Sequence, residues 1–514
     1  MLCVALIALP LAYLVIRLVG AGPDAIGAAL WRWRTLETIG TSAALVVVTV
    51  ALSFLWAIPT SVILAKWRVR AGTLFVVLMA LPLAIPSYVA ASAWISIFPG
   101  MSGLWAAALV ISLCCFPYIS IPLIAALRSV DATYEDVARS LGVSPLRSFV
   151  RIALPISWPA AAAGALLVAL YTLAEFGTVA IFRVDAFTRV IYASYRASFD
   201  RVSAAVLALI LVLLALLVVW AESRVRGRGQ LWRTGSGSAR VGGALAMTTR
   251  GHIGAYAWLL MVSALALALP VGALIGQFLA SRRNEIDVSE LLGAVAGSVT
   301  SSVMGAVIAL LLALPVAVLA SRYSGRLVRG IETGSFLGHA LPGVVVGLSL
   351  VFFTLGVIPI AYQTLATLAF AYAILFAPKA IGSARSAFAR VPPEMEEVAR
   401  SLGRGPVSSW WFVTGRIAWP GIAAGALLVT LTAMKELPAT LMLRPTGFET
   451  LATELWNRTE VGAFGAAAPF ALTLIVLAAV PAWLVSRWLA ASDSPSASVD
   501  RVGIHQDVTM VGDR

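Results

Sequence analysis

Two stretches of this sequence set acids and bases at helical spacing and recur almost unchanged. Glu135-Asp136-Val137-Ala138-Arg139-Ser140-Leu141-Gly142 and Glu396-Glu397-Val398-Ala399-Arg400-Ser401-Leu402-Gly403 stand 261 residues apart. Glu135 with Arg139, and Glu396 with Arg400, form i,i+4 pairs with the acid first, the better order on a helix. Val137 and Leu141, like Val398 and Leu402, make a small apolar stripe, and Ala138 and Ala399 leave room for close approach. Gly142 and Gly403 fall where a helix end takes a left-handed residue, and Pro392-Pro393 supplies a helix start in the second copy. One such turn could be a solvated surface helix; two near-identical copies point to a docking element.

The same offset aligns Trp158-Pro159 with Trp419-Pro420, the Gly164–Val168 run with Gly425–Val429, and Glu175 with Glu436. Both carboxylates sit toward the end of an apolar stretch, where an ionisable group costs roughly 2.5–3.5 kcal/mol unless paired or wetted. Two readings follow: a polar gate on a pathway formed by Glu175, Lys435 and Glu436, or structural roles in which Glu436 pairs with Lys435 and Glu175 caps a neighbouring helix. Other chemistry is sparse. His252, His339 and His505 are too scattered to act as joint ligands, and Cys3, Cys114 and Cys115 show neither metal spacing nor a disulfide framework. No Gly-rich Lys-Ser/Thr phosphate loop and no nucleophile constellation appears, so no catalysis and no cofactor bound by this chain are expected.

The elements that must position these residues lie in lipid. The chain is 60% hydrophobic and 12% charged, and soluble domains carry roughly twice that charged fraction. Ala43 to Ala65, Val202 to Ala221 and Leu291 to Ala320 contain no charge, and a bilayer core about 30 Å thick needs about 20 apolar residues of helix. The runs do not alternate as strands of a membrane barrel would. An all-α polytopic membrane protein follows, with spans near 2–19, 41–65, 73–97, 104–127, 158–180, 202–221, 253–279, 293–320, 334–357, 361–385, 418–442 and 464–488. The first lacks the basic start of a secretory signal and reads as a retained helix.

Four spans, the repeated loop and two more spans make each half, so the halves run parallel about an axis along the membrane normal. The division is 1–221 for the first half, 222–252 for an Arg- and Gly-rich linker, 253–490 for the second half, and 491–514 for a disordered tail. The net charge of +13 could suit nucleic acid, but the basic residues cluster in short loops between spans, as positive-inside topology requires. Lys66, Arg128, Arg151, Arg224, Arg322 and Arg416 all fall on one side by span parity, which places both repeated loops and both termini in the cytoplasm.

Glu-x-x-Ala-x-x-x-Gly, nine residues, then Ile-x-Leu-Pro, resembles the EAA loop of binding-protein-dependent ABC importer permeases. The first copy fits throughout, with Ile152, Leu154 and Pro155; the second keeps Glu396, Ala399 and Gly403 but ends on Val413, Gly415 and Arg416. Further stretches, 81–88, 174–182 and 435–445, are similar to the fused ferric-iron-type permeases of the iron and thiamine branch. The resemblance implies a type I importer permease of about twelve helices in a bacterial inner (plasma) membrane. It implies coupling residues Glu135, Asp136, Ala138, Arg139, Gly142, Glu396, Glu397, Ala399, Arg400 and Gly403, docked on a homodimeric cytoplasmic ABC ATPase that carries ATP-Mg. A periplasmic or extracellular solute-binding protein would deliver the cargo: ferric iron first, with thiamine, a phosphonate or another small solute as alternatives. Membrane lipid, and no nucleic acid, completes the partners. Carboxylates suit ferric iron, but two do not define a metal site. An ion-coupled secondary carrier also has twelve spans in two halves; it would place isolated charges in mid-span and needs no matched cytoplasmic helices.

Overall fold

The computed structural model describes residues 1–67, 69–130, 132–196, 201–228, 249–280 and 287–492. The middle of the expected linker, the expected tail beyond 492, and His505 lie outside these residues. Every regular element longer than a bridge among them is helical. Eight helices are long and apolar enough to cross a membrane, two more crossings are bent pairs, and Gly343–Val357 and Phe464–Ala479 are shorter apolar helices. Together they account for the twelve spans expected.

Several spans are broken, or bounded differently from the ranges expected of them. The third consists of Gly72–Ala84 and Ser87–Ile97, which meet at 92°. Proline explains the break: Pro82 starts a 3-10 turn, and Ile85 is extended, as the residue before a proline prefers. In the second half Leu341 is likewise extended before Pro342, so 334–357 is a chain of short helices ending in Gly343–Val357. The spans after the repeated loops start before 158 and 418 and stop early. Each enters through a π turn, Phe149–Ala153 and Trp410–Gly415, and ends at Ala174 and Ala433. The helix is local to the apolar run, but its ends are set by the loop it leaves and the break it meets.

The halves interlock. The first span, Leu2–Ala21, packs on second-half elements: Tyr13 meets Phe353 edge-on at 5.4 Å and Arg17 lies over the Phe352 ring. Conversely, the seventh, Thr249–Ala280, packs on the first half. Trp258 Nε1 donates to Thr60 Oγ1 at 3.1 Å, Tyr256 stacks near Phe75, and Gln277 bonds Ser96. In lipid there is no hydrophobic drive between helices, so such packing and hydrogen bonds hold the bundle together.

Opposite the repeated loops by span parity, each half has one short helix, Phe187–Arg196 in the first and Leu451–Glu460 in the second. Each begins on a serine from the second span of its half: Phe187 N–H donates to Ser42 Oγ at 3.0 Å, and Leu451 N–H to Ser298 Oγ at 2.8 Å. The pseudo-symmetry thus extends to single hydrogen bonds.

Candidate functional site

The repeated loops form the helices Ala132–Ser140 and Pro393–Ser401. Their small residues face inward: Ala138 and Ala399 are buried. Both helices end the same way. Val143 N–H donates to Ala138 O at 2.9 Å and Arg404 N–H to Ala399 O at 3.2 Å, which requires a left-handed residue in between; Gly142 and Gly403 supply it at φ 74° and 88°. The apolar stripe is outward: Leu141 is 75% and Leu402 80% exposed, and Val137, Met395 and Val398 are also exposed. Large apolar side chains on a charged helix, facing away from the bundle in both copies, form a surface ready to be covered by a partner.

The acids behave differently from expectation. The side chains of Glu135, Asp136 and Arg139 lie outside the described residues. Glu396 does not pair with Arg400. Arg322 Nη2, at the end of the eighth span, donates to Glu396 Oε1 at 2.7 Å, and Thr414 donates to the same oxygen. Arg322 also holds Val391 O at 3.2 Å. The span end, the helix Pro393–Ser401 and the π turn are thereby tied at one carboxylate, while Glu397 and Arg400 remain exposed. An ion pair partly screened from water outcompetes an exposed i,i+4 pair worth only a few tenths of a kcal/mol.

Between the halves the structure places Glu175 and Glu436 at the breaks that end their spans, 8% and 9% exposed. Glu175 Oε1 accepts from Thr178 N–H at 2.9 Å, and Oε2 from Ser87 Oγ at 2.6 Å; Tyr171 Oη donates onward to Ser87. Glu436 Oε1 accepts from Ala439 N–H, and Oε2 from both Thr440 N–H and Thr440 Oγ1, all within 3.0 Å. Each carboxylate satisfies the open N–H groups of the short helix after the break, where negative charge is also favoured. Ser87 and Gly343 each follow the proline of an equivalent break. Ser87 donates to its glutamate, whereas a Cβ at Gly343 would collide with Glu436 Oε1.

Lys435 does not pair with Glu436. Its Nζ crosses to the first half and donates to Leu83 O at 3.4 Å and Ala84 O at 3.2 Å, carbonyls freed by the break at Pro86. The centre is therefore a set of broken helix ends closed by Glu175, Glu436 and Lys435, the last bridging the halves. Tyr88 stands on the same break, its hydroxyl buried without a partner and within electrostatic reach of both glutamates.

One residue escaped the sequence reading. Lys379 lies inside Leu365–Ala389; its Nζ donates to Thr432 Oγ1 at 3.1 Å and sits 5.2 Å over the Phe376 ring. The signal was available: a lone charge within an apolar span. The 261 offset equates Lys379 and Thr432 with Tyr118 and Tyr171, whose rings meet at 6.3 Å, so the halves differ chemically at the same place. Among the described residues no three His, Cys, Asp or Glu side chains are grouped to hold a metal ion.

Comparison with known proteins gives these features a context. A family model described as the binding-protein-dependent transport system inner membrane component matches residues 57–226 and 305–490, one match in each half, each beginning within that half's second span. The chain is 31% identical over 482 residues to the Fe(3+)-transport system permease protein FbpB 2 of Haemophilus influenzae, covering 93% of this chain and 95% of that one. It is 32% identical over 180 residues to the molybdenum transport system permease protein ModB of Mycobacterium tuberculosis, covering 32% of this chain and 67% of the relative. It is also 32% identical over 166 residues to the putative 2-aminoethylphosphonate transport system permease protein PhnV of Salmonella typhimurium, covering 31% and 62%.

Proposed function

Because the chain belongs to the family of binding-protein-dependent transport system inner membrane components, we propose that it forms the whole transmembrane channel of an ATP-driven ferric-iron importer. Its relatives are permease subunits, not enzymes. Chemical energy enters through a partner, a homodimeric ABC ATPase that binds ATP-Mg. The observation that carries this reading is the pair of coupling helices: two copies, identically capped, on one side of the bundle, with exposed apolar stripes. One symmetric ATPase dimer needs two such contacts.

In this mechanism the ATPase subunits close on ATP, carry the two helices with them, and rock the halves about the interface. Glu396, through Arg322 and Thr414, passes that motion to the eighth span and the π turn. Glu175, Lys435 and Glu436 act on the pathway by fixing the broken helices that line it. A solute-binding protein delivers cargo on the face opposite the coupling helices, and both termini are cytoplasmic in a bacterial inner membrane.

Ferric iron is the cargo because the relative matching nearly end to end is an Fe(3+)-transport permease. The shorter matches to molybdenum and phosphonate permeases support an oxyanion as the second reading. The test is uptake into proteoliposomes holding the permease, its ATPase and its binding protein. Radiolabelled iron should accumulate only with ATP inside and binding protein outside. Accumulation of molybdate or aminoethylphosphonate, with iron excluded, would replace iron by the second reading.

A further inference from the structure

We infer that the chamber opposite the coupling helices admits its cargo as an anion: a small oxyanion, either free or as the coordinating partner of ferric iron, and not a bare cation. The inference rests on the importer reading above and adds the charge state of what enters.

The chamber holds about 1100 Å³ between first-half segments 99–103 and 176–196 and second-half segment 456–464. Its charged lining is Arg183, Arg189, Arg196 and Glu460. Arg189 is neutralised by Asp185. Arg183 forms no ion pair among the described residues, and its backbone sits at φ 57°, a left-handed conformation that is strained for a non-glycine residue and clusters at functional sites. Arg196 Nη1 donates to Tyr192 Oη at 3.0 Å and its guanidinium lies 5.9 Å from that ring's centroid, with no ion pair among the described residues. Tyr192 and Arg196 are shared with a smaller cavity of about 330 Å³ lined also by Tyr195, Tyr362, Gln363 and Asn457. There Tyr195 and Tyr362 hydroxyls stand 3.4 Å apart, and Gln363, like Arg183, is a non-glycine residue in a left-handed conformation, at φ 53°.

This lining is rich in donors and poor in acceptors. Guanidinium groups bind planar oxyanions through paired N–H donors. Burial raises the pKa of Tyr192 and of Tyr195, so both phenols stay O–H donors and do not become phenolate ligands. Hard cations need anionic oxygens, and among the described residues the chamber's lining offers one carboxylate without an ion pair, Glu460. Deeper in, the oxygens of Glu175 and Glu436 are occupied by N–H and O–H donors. The next charged groups there, Lys435 and Lys379, are again cations. A bare trivalent cation would meet repulsion and a single carboxylate; an oxyanion complex meets donors.

The test compares Arg183→Glu/Arg196→Glu with Arg183→Lys/Arg196→Lys in the full complex, at low salt, with binding protein titrated from limiting to saturating. The probes are radiolabelled ferric citrate and molybdate. Charge reversal is expected to cut uptake of whichever probe the wild type carries by at least about tenfold, the low end of electrostatic steering. The lysine variant should keep most uptake, and ATPase should copurify with both. Uptake unchanged or raised by reversal would overturn the inference. So would full recovery on adding more binding protein, which would assign the arginines to docking that protein. Wild-type uptake of molybdate without iron, with the same arginine dependence, would sink the iron reading and leave the anion inference standing; uptake of neither would count against both.

Discussion

Glu436 accepts hydrogen bonds at both carboxylate oxygens, which decides what a conservative change does there. Glutamine has the same shape, but one of its two terminal atoms becomes an N–H₂ donor facing another donor. Glu436→Gln should therefore lower thermal stability, by an amount near the roughly 1.5–3 kcal/mol of a hydrogen bond to a charged group. Uptake should fall only as folded protein is lost. A tenfold loss of uptake with an unchanged melting temperature would instead show the charge acting on cargo. Much of this was legible in the repeat: Glu175 and Glu436 stand out because both copies keep them, and Gly142 and Gly403 because they follow a short amphipathic turn. The target of Lys435 was not legible. Its partners, Leu83 and Ala84, are more than three hundred residues away and are main-chain carbonyls, exposed only because a proline breaks a distant helix.

At the scale of elements, composition identified the spans, but proline and the loops decided where they end. Pro82 and Pro86 stand in the sequence of the third span and can break a helix; a 92° turn is not legible there, because its angle depends on what the two pieces pack against. The same holds for the coupling helices. Their periodicity and caps read correctly from sequence, whereas Glu396 chose Arg322 over its helical neighbour Arg400 through tertiary proximity. That choice makes Glu396 a tie within the chain, and charge reversal there tests two things at once. A charge swap separates them. Glu396→Arg should release the coupling helix and lose ATPase on purification, and Glu396→Arg/Arg322→Glu should recover a substantial part of it. No recovery, in a swap that remains folded, would mean that Glu396 meets the ATPase directly.

At the scale of the molecule, duplication was readable and interlocking was not. Offset arithmetic gives two parallel halves, yet nothing local says that the first span of each half packs on the other half. That exchange, with Lys435 crossing at the centre, ties the halves together. The central claim is that an outside partner drives these halves through two small helices. Leu141 and Leu402 test it best, because at 75% and 80% exposure they contribute little to the fold, and surface changes of that kind usually shift stability by no more than about 0.5 kcal/mol. The measurement is ATP hydrolysis by the reconstituted complex, with and without loaded binding protein, for wild type and Leu141→Asp/Leu402→Asp. The wild type should be stimulated by loaded binding protein, and the double variant should insert, keep its melting temperature and lose the stimulation together with bound ATPase. Stimulation of normal size in the double variant would contradict coupling through these helices.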